Sequence, residues 1–193
     1  MAVFKMLRQS PWSARCGIAI VLLNIAAAVF APIVAPYGET EIVGDVWLPM
    51  SGDHLLGTDH LGRDLFTRLL FGARNTIAIA FVTTMLSFIV GTVCGFFAAT
   101  LKGWVDQLLS RMVDILMAFP TLIFALMALS VVGTSVGALI LVIALLDSTR
   151  VYRLSRAVAM DIAVMEYVEA ARLRGEKTWW LMRQEILPNA MPP

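Results

Sequence analysis

Four ionisable residues, Arg111, Asp114, Asp147 and Arg150, stand inside otherwise apolar runs of this 193-residue chain. An unpaired charge at membrane depth costs at least about 2.5 kcal/mol, so each needs a partner or water. Arg111 with Asp114, and Asp147 with Arg150, are three residues apart and share a helix face. If the two runs fold as a hairpin centred near Thr134, Asp114 also comes within reach of Arg150 or Arg153. Two roles stay open for these groups: charge pairs that lock the hairpin, or the polar lining of a solute path. Other chemistry is sparse. His54 and His60 sit in a loop without a third ligand, so no metal site is expected. Cys16 and Cys94 lie in apolar runs, lack metal-type spacing and read as small buried hydrophobes. No G-x-x-x-x-G-K phosphate loop occurs, so the chain is not expected to bind nucleotide that way or to be an enzyme.

The second polar feature is Glu166–Pro188, EYVEAARLRGEKTWWLMRQEILP, the only long polar segment after residue 101. Glu166 and Glu169 come early and Arg172 and Arg174 late, each matching one end of a helix dipole. Gly175 follows where a left-handed cap is expected. A second helix can start at Thr178, its hydroxyl acting as the cap, and end at Pro188. Trp179, Met182 and Ile186 form a stripe expected to pack on the ends of the membrane spans. Ala170 and Ala171 make a small face on which another protein can sit closely. A solvated surface and a docking surface are both consistent with this pattern.

The elements that must position these groups are apolar. Hydrophobic residues make up 59% of the chain and charged ones 15%, against about 25% in soluble domains, with a mean hydropathy of +0.80. The net charge of +1 excludes an electrostatic nucleic-acid binder. We expect an all-α membrane protein with four transmembrane helices: 16–35, 76–101, 105–132 and 136–157. A cytoplasmic N-terminus, 1–15, carries Lys5, Arg8 and Arg15. Proline follows both small-residue cleavage positions, Ala31 and Ala35, so the first span reads as uncleaved. Residues 36–75 form a periplasmic segment in which Leu61, Leu65, Leu69, Leu70 and Ala73 line one face of an interfacial helix near Thr58–Arg74. Gly91 and Gly95 in the second span permit close helix contact. Of 15 Lys and Arg residues only Arg63, Arg68 and Arg74 fall on the outer side, which places 158–193 in the cytoplasm.

Three motifs carry a family resemblance. Glu169-Ala170-Ala171, then Gly175, then Leu187-Pro188 resembles the EAA loop of ABC-importer permeases, with Glu185 where an apolar residue is usual. LLGTDHLGRDLFTRLLFGAR (55–74), with Gly57, Thr58, Asp59, Gly62, Arg63 and Asp64, resembles the signature ahead of the second span in C-type subunits of the dipeptide, oligopeptide and nickel permease subfamily. GWVDQLLSRMVDILMAFPTLIFAL (103–126) is similar to their third span. The resemblance implies a multi-pass permease subunit of the bacterial inner membrane with the type I importer fold. It would pair with a homologous permease subunit, receive substrate from an extracytoplasmic binding protein, and be driven by two ATPase subunits that bind the ATP. This chain itself would hold no cofactor. The loop at 158–193 would be the coupling element: Glu169 pairing with a basic group of the ATPase, Ala170 and Ala171 permitting close approach, Gly175 supplying the bend. Relatives serve dipeptides, oligopeptides, glutathione and nickel. They also continue through two further spans, so the chain is expected to be truncated. The competing functions are a secondary transporter or channel using Asp114 and Asp147 as its ion path, and a non-transporting membrane fragment.

Overall fold

The computed structural model describes residues 11–101 and 103–190, which are helices and loops with one isolated bridge, Thr58 to Asp64. Lys5 and Arg8, named above for the N-terminal segment, lie outside the described residues. Contacts divide the chain into two compact units, Met1–Ala80 and Phe81–Pro193.

In the first unit, α1 covers Trp12–Val34, close to the expected first span. It ends because Ala35 precedes Pro36, whose ring disfavours a helical predecessor; Ala35 is extended while its N–H still reaches the Ala31 carbonyl at 2.9 Å. A tight loop follows. Val43 and Gly44 donate to the Gly62 carbonyl at 2.9 and 3.2 Å, Thr58 donates its N–H to Leu48 at 3.1 Å, and the Thr58 hydroxyl donates to the Asp45 carbonyl at 2.6 Å.

The next helix, α2, runs Leu65–Leu101. This corrects the expected interfacial helix over Thr58–Arg74. Gly57 and Gly62 both have positive φ, 78° and 74°, and the Gly44 carbonyl occupies the space where a Cβ on Gly62 would lie, so residues 57–64 are a loop. Asp64 then caps the helix, accepting the Thr67 N–H at 2.7 Å. The expected break at Asn75 also vanishes. Asn costs only a few tenths of a kcal/mol in a helix interior, and 37 residues rising 1.5 Å each make one rod of about 55 Å, longer than the bilayer core.

The second unit holds the rest of α2, then α3 (Gly103–Ala118), α4 (Thr121–Val132), α5 (Val136–Ile162) and the loop helices. The expected third span is not one rod: α3 and α4 meet at 97° across Phe119-Pro120. Pro120 has no N–H to give α3 and stands as the N-cap residue of α4, which is where a proline is tolerated. Ser135 caps α5 by accepting the Ala138 N–H at 3.2 Å. By length and composition α1 and α2 can cross a membrane, and α3–α4, bent by 97°, adds a third if the pair is one broken span rather than a re-entrant loop. Helix α5, although 27 residues long, carries Asp147, Arg150, Arg153 and Arg156 and falls outside that count.

Gly91 and Gly95 sit against the backbone of α5 at Ser148, Tyr152 and Arg156. That approach brings Phe96 and Ala99 of α2 onto Ala159 and Ile162 of α5, and the loop helices complete the same core with Val168, Ala171, Leu181, Met182 and Ile186. The polar loop is thus seated by its apolar face on the ends of two long helices.

Candidate functional site

The loop itself is α6, Glu166–Leu173, followed by α7, Thr178–Trp180, a π-helical turn over Leu181–Ile186, and α8, Leu187–Ala190. Gly175 stands at φ 85°; its N–H reaches the Arg172 carbonyl at 3.0 Å, and Glu176 donates to Ala171 at 3.3 Å. Those two bonds define a Schellman cap, so the bend is fixed by geometry that favours glycine. Thr178 does not cap as expected. Lys177 is the N-cap residue and makes no side-chain cap bond. Nor does Pro188 end the segment, which continues to Ala190. The turn before it widens instead, with the Leu187 N–H bonding to Met182, five residues back. A wider turn relieves the clash that a proline ring makes with the carbonyl four residues earlier.

The two alanines of α6 part company. Ala171 is wholly buried in the chain's own core, as are Val168 and Ile186, whereas Ala170 is exposed. Docking by an outside protein can therefore use Ala170 but not Ala171. Met182 and Ile186 pack on the span ends as the stripe predicted, while Trp179 stays 57% exposed and stacks on Phe97 with ring centroids 6.3 Å apart. Glu169, Arg172 and Leu173 share a cavity of about 260 Å³ with Ala163 and Val164. Leu173 is 83% exposed, an apolar contact that the sequence reading passed over. An exposed carboxylate beside exposed leucine and valine suits a basic side chain with an apolar stem.

Between α3 and α5 lies a second polar cluster. Arg156 reaches Asp106 with both arms of its guanidinium, Nε to Oδ1 at 2.5 Å and Nη2 to Oδ2 at 2.6 Å. Four residues along each helix, Ser110 and Tyr152 join hydroxyl to hydroxyl at 3.0 Å. The sequence reading missed this pair. A straight hairpin about Thr134 puts Arg156 opposite Met112, but the bend at Pro120 swings α4 aside and slides α3 along α5. The expected partners are not brought together: among the described residues no ion pair within 4.0 Å is formed by Arg111, Asp114, Asp147 or Arg150. Asp114 instead lines a cavity of about 400 Å³ with Ser110, Val113, Tyr152, Arg153 and Arg156, and Arg153 contacts the Met117 sulfur at 3.7 Å. The signal for the true pair was present as two polar residues at i,i+4 spacing on each helix, Asp106 with Ser110 and Tyr152 with Arg156.

In the first unit, the signature residues build a buried anchor. Asp59 accepts from the N–H groups of Leu61 and Arg63 at 2.7 and 3.1 Å, from Arg63 Nε at 2.9 Å and from Arg68 Nη1 at 2.7 Å. Asp64 meets His54 Nδ1 at 3.2 Å beside its cap bond to Thr67. Burial disfavours the Asp59 carboxylate, yet the Arg63 and Leu61 N–H groups and then the two arginines outweigh it and hold its pKa well below the usual carboxylate range. Asp64 is lowered in the same way, burial being outweighed by the Thr67 N–H and His54. A carboxylate whose folded pKa is depressed stabilises above its unfolded pKa, about 4, and loses that contribution as pH falls through the folded value. The loop 36–64 should therefore resist protease from neutral pH down to about pH 4 and open only in stronger acid. Asp59→Asn should make it protease-sensitive at neutral pH.

Taken together, the apolar helices and the polar loop seated on their ends define a multi-pass α-helical membrane protein with one exposed polar loop helix, α6. The chain belongs to the family of binding-protein-dependent transport system inner membrane components, whose model matches residues 91–193, beginning at Gly91 and running through the loop. It is 33% identical over 192 residues to a dipeptide transport system permease protein of Alkalihalophilus pseudofirmus, covering 98% of this chain and 62% of that protein. A di/tripeptide transport system permease protein of Pseudomonas aeruginosa is 36% identical over 92% of this chain and 61% of its own length. For a glutathione transport system permease protein of Pectobacterium atrosepticum the figures are 31%, 89% and 58%. The chain thus spans about six-tenths of the length of the curated relatives it matches.

Proposed function

We propose that the chain is a permease subunit of an ATP-driven importer for small peptides or a related solute, and that α6 is the element on which an ATPase subunit docks. The observation that carries this reading is the loop: a helix ended by a Schellman cap at Gly175, its inner face locked into the span ends and its outer face exposing Glu169, Ala170 and Leu173. The activities of the peptide permeases it resembles supply the substrate class. In this reading α1, α2, the bent pair α3–α4 and α5 make four crossings, with the N-terminus and 158–193 in the cytoplasm and 36–64 outside. The partners are a homologous permease, two ATPase subunits that hold the ATP, and an extracytoplasmic binding protein.

Affinity purification of the tagged chain from its native membrane, alone and as variants, tests the proposal. The wild type should retain an ATPase. Glu169→Ala should lose most of it by removing the exposed carboxylate. Gly175→Pro should lose it too, since proline fixes φ near −65° and deletes the N–H that closes the cap. Retention unchanged in both variants would overturn the docking role. Uptake that follows a proton gradient and ignores ATP would favour the secondary-transporter reading.

A further inference from the structure

The core under the loop contains residues from α2, α5, α6 and the π-helical turn, and none from α3. A push on α6 is therefore passed directly to α5, through Ala159 and Ile162 against Val168 and Ala171, all buried. Helix α5 has no proline from Val136 to Ile162 and behaves as one rod. The chain ties α3 to the end of α2, which shares that core, but fixing α3 to the α5 rod itself takes a side-chain contact near the loop. The two-armed guanidinium contact at Asp106 and the Ser110–Tyr152 hydrogen bond are placed to do so.

We infer that Asp106 and Arg156 are positioning residues that strap the start of α3 to α5, so that displacement of the coupling loop moves both helices together. Arginine suits the task because a planar fork on a carboxylate fixes direction as well as distance, which a lysine point charge does not. Arg156 sits a single turn before Ala159, so the strap is anchored within a turn of the core on which the loop rests. Asp106 lies in the first turn of α3, where a negative charge also favours the helix terminus. Tyr152, 3% exposed, holds the second rung from a fixed position. The inference rests on reading α6 as the element that is pushed, but the strap itself is testable without any ATPase.

The test is distance measurement by paired spin labels on the full chain in nanodiscs, with Cys16 and Cys94 replaced by alanine. Labels at Gln107 and Glu166, both exposed, read α3 against the loop; labels at Glu166 and Asn189 read the loop alone. The wild type should give one narrow distribution for each pair. Asp106→Asn should broaden the first at least twofold and leave the second unchanged, Arg156→Lys should broaden it partly, and the swap Asp106→Arg with Arg156→Asp should restore it. An unchanged first distribution in Asp106→Asn overturns the strap, and equal broadening of both shows a general structural role and overturns it too. In the complete transporter, Asp106→Asn should keep its ATPase while uptake falls about tenfold or more, and the swap should recover it. A wild type that retains no ATPase would fail the permease reading, while the spin-label distances would still decide the strap.

Discussion

Gly91→Leu is expected to pry α2 from α5 and to cost the second unit about 3 kcal/mol or more, the upper end of what overpacking does. A Cβ on Gly91 would stand 2.6 Å from the Val151 Cβ, 2.7 Å from the Ser148 carbonyl oxygen and 2.9 Å from the Tyr152 nitrogen. Carbon atoms in ordinary contact are about 3.5–4.0 Å apart. Two of the three obstacles are backbone, so no side-chain rotation relieves them and the helix axis must move. Gly95 is equally confined, with the Tyr152 oxygen and Arg156 nitrogen at 2.8 and 2.9 Å. The displacement would propagate, because Phe96 and Ala99, one turn along, are part of the core beneath the loop. A loss of about 3 kcal/mol corresponds to a fall of roughly 6–12 °C in the unfolding midpoint for a chain of this size. Gly137→Ala is the control: nothing lies within 4 Å of a Cβ there, and its midpoint should hold or rise. An unaltered midpoint in Gly91→Leu, measured by thermal unfolding in detergent, would contradict this close packing.

Gly91 and Gly95 were recognisable from sequence as a close-contact pair, yet their partner was not. A small-xxx-small spacing reports that some backbone approaches, and the identity of that backbone depends on how α5 is registered, which is set elsewhere. The same division runs through the whole chain. Local signals were legible: Gly175 after Arg172 and Arg174 marked a left-handed cap, and the Trp179, Met182, Ile186 stripe marked the buried face, though Trp179 is only half committed to it. Signals that depend on the relation between helices were not. Pro120 was visible as a residue, but the 97° turn it permits decides that Arg156 meets Asp106 and that Asp114 faces a cavity. At residues 57–64 the helical spacing of Leu61 and Leu65 was genuine, but two glycines at positive φ overrode it. Periodicity gives the face a residue would take in a helix and says nothing about whether the backbone is one.

Neighbouring alanines give the sharpest expected contrast. Ala171→Leu should destabilise the second unit by about 1–3 kcal/mol, the usual cost of forcing extra methylene groups into a filled core, because Ala171 is fully buried among Val168, Ile186 and Ala159. Ala170→Arg, one residue earlier on α6, should leave the unfolding midpoint unchanged, since that position is exposed and arginine is a good helix former. Its effect should instead be on docking. A long cation at this exposed position would repel a basic partner approaching Glu169, and would block close approach at the one small residue the helix still presents. Retention of an ATPase by Ala170→Arg should fall at least tenfold, about 1.4 kcal/mol. For Ala171→Leu any loss of retention should track the loss of folded protein. Both quantities come from one preparation, the unfolding midpoint and the ATPase recovered per folded chain. If Ala170→Arg were to lower the midpoint as far as Ala171→Leu, the assignment of inner and outer faces to α6 would be wrong, and with it the surface on which the partner is placed.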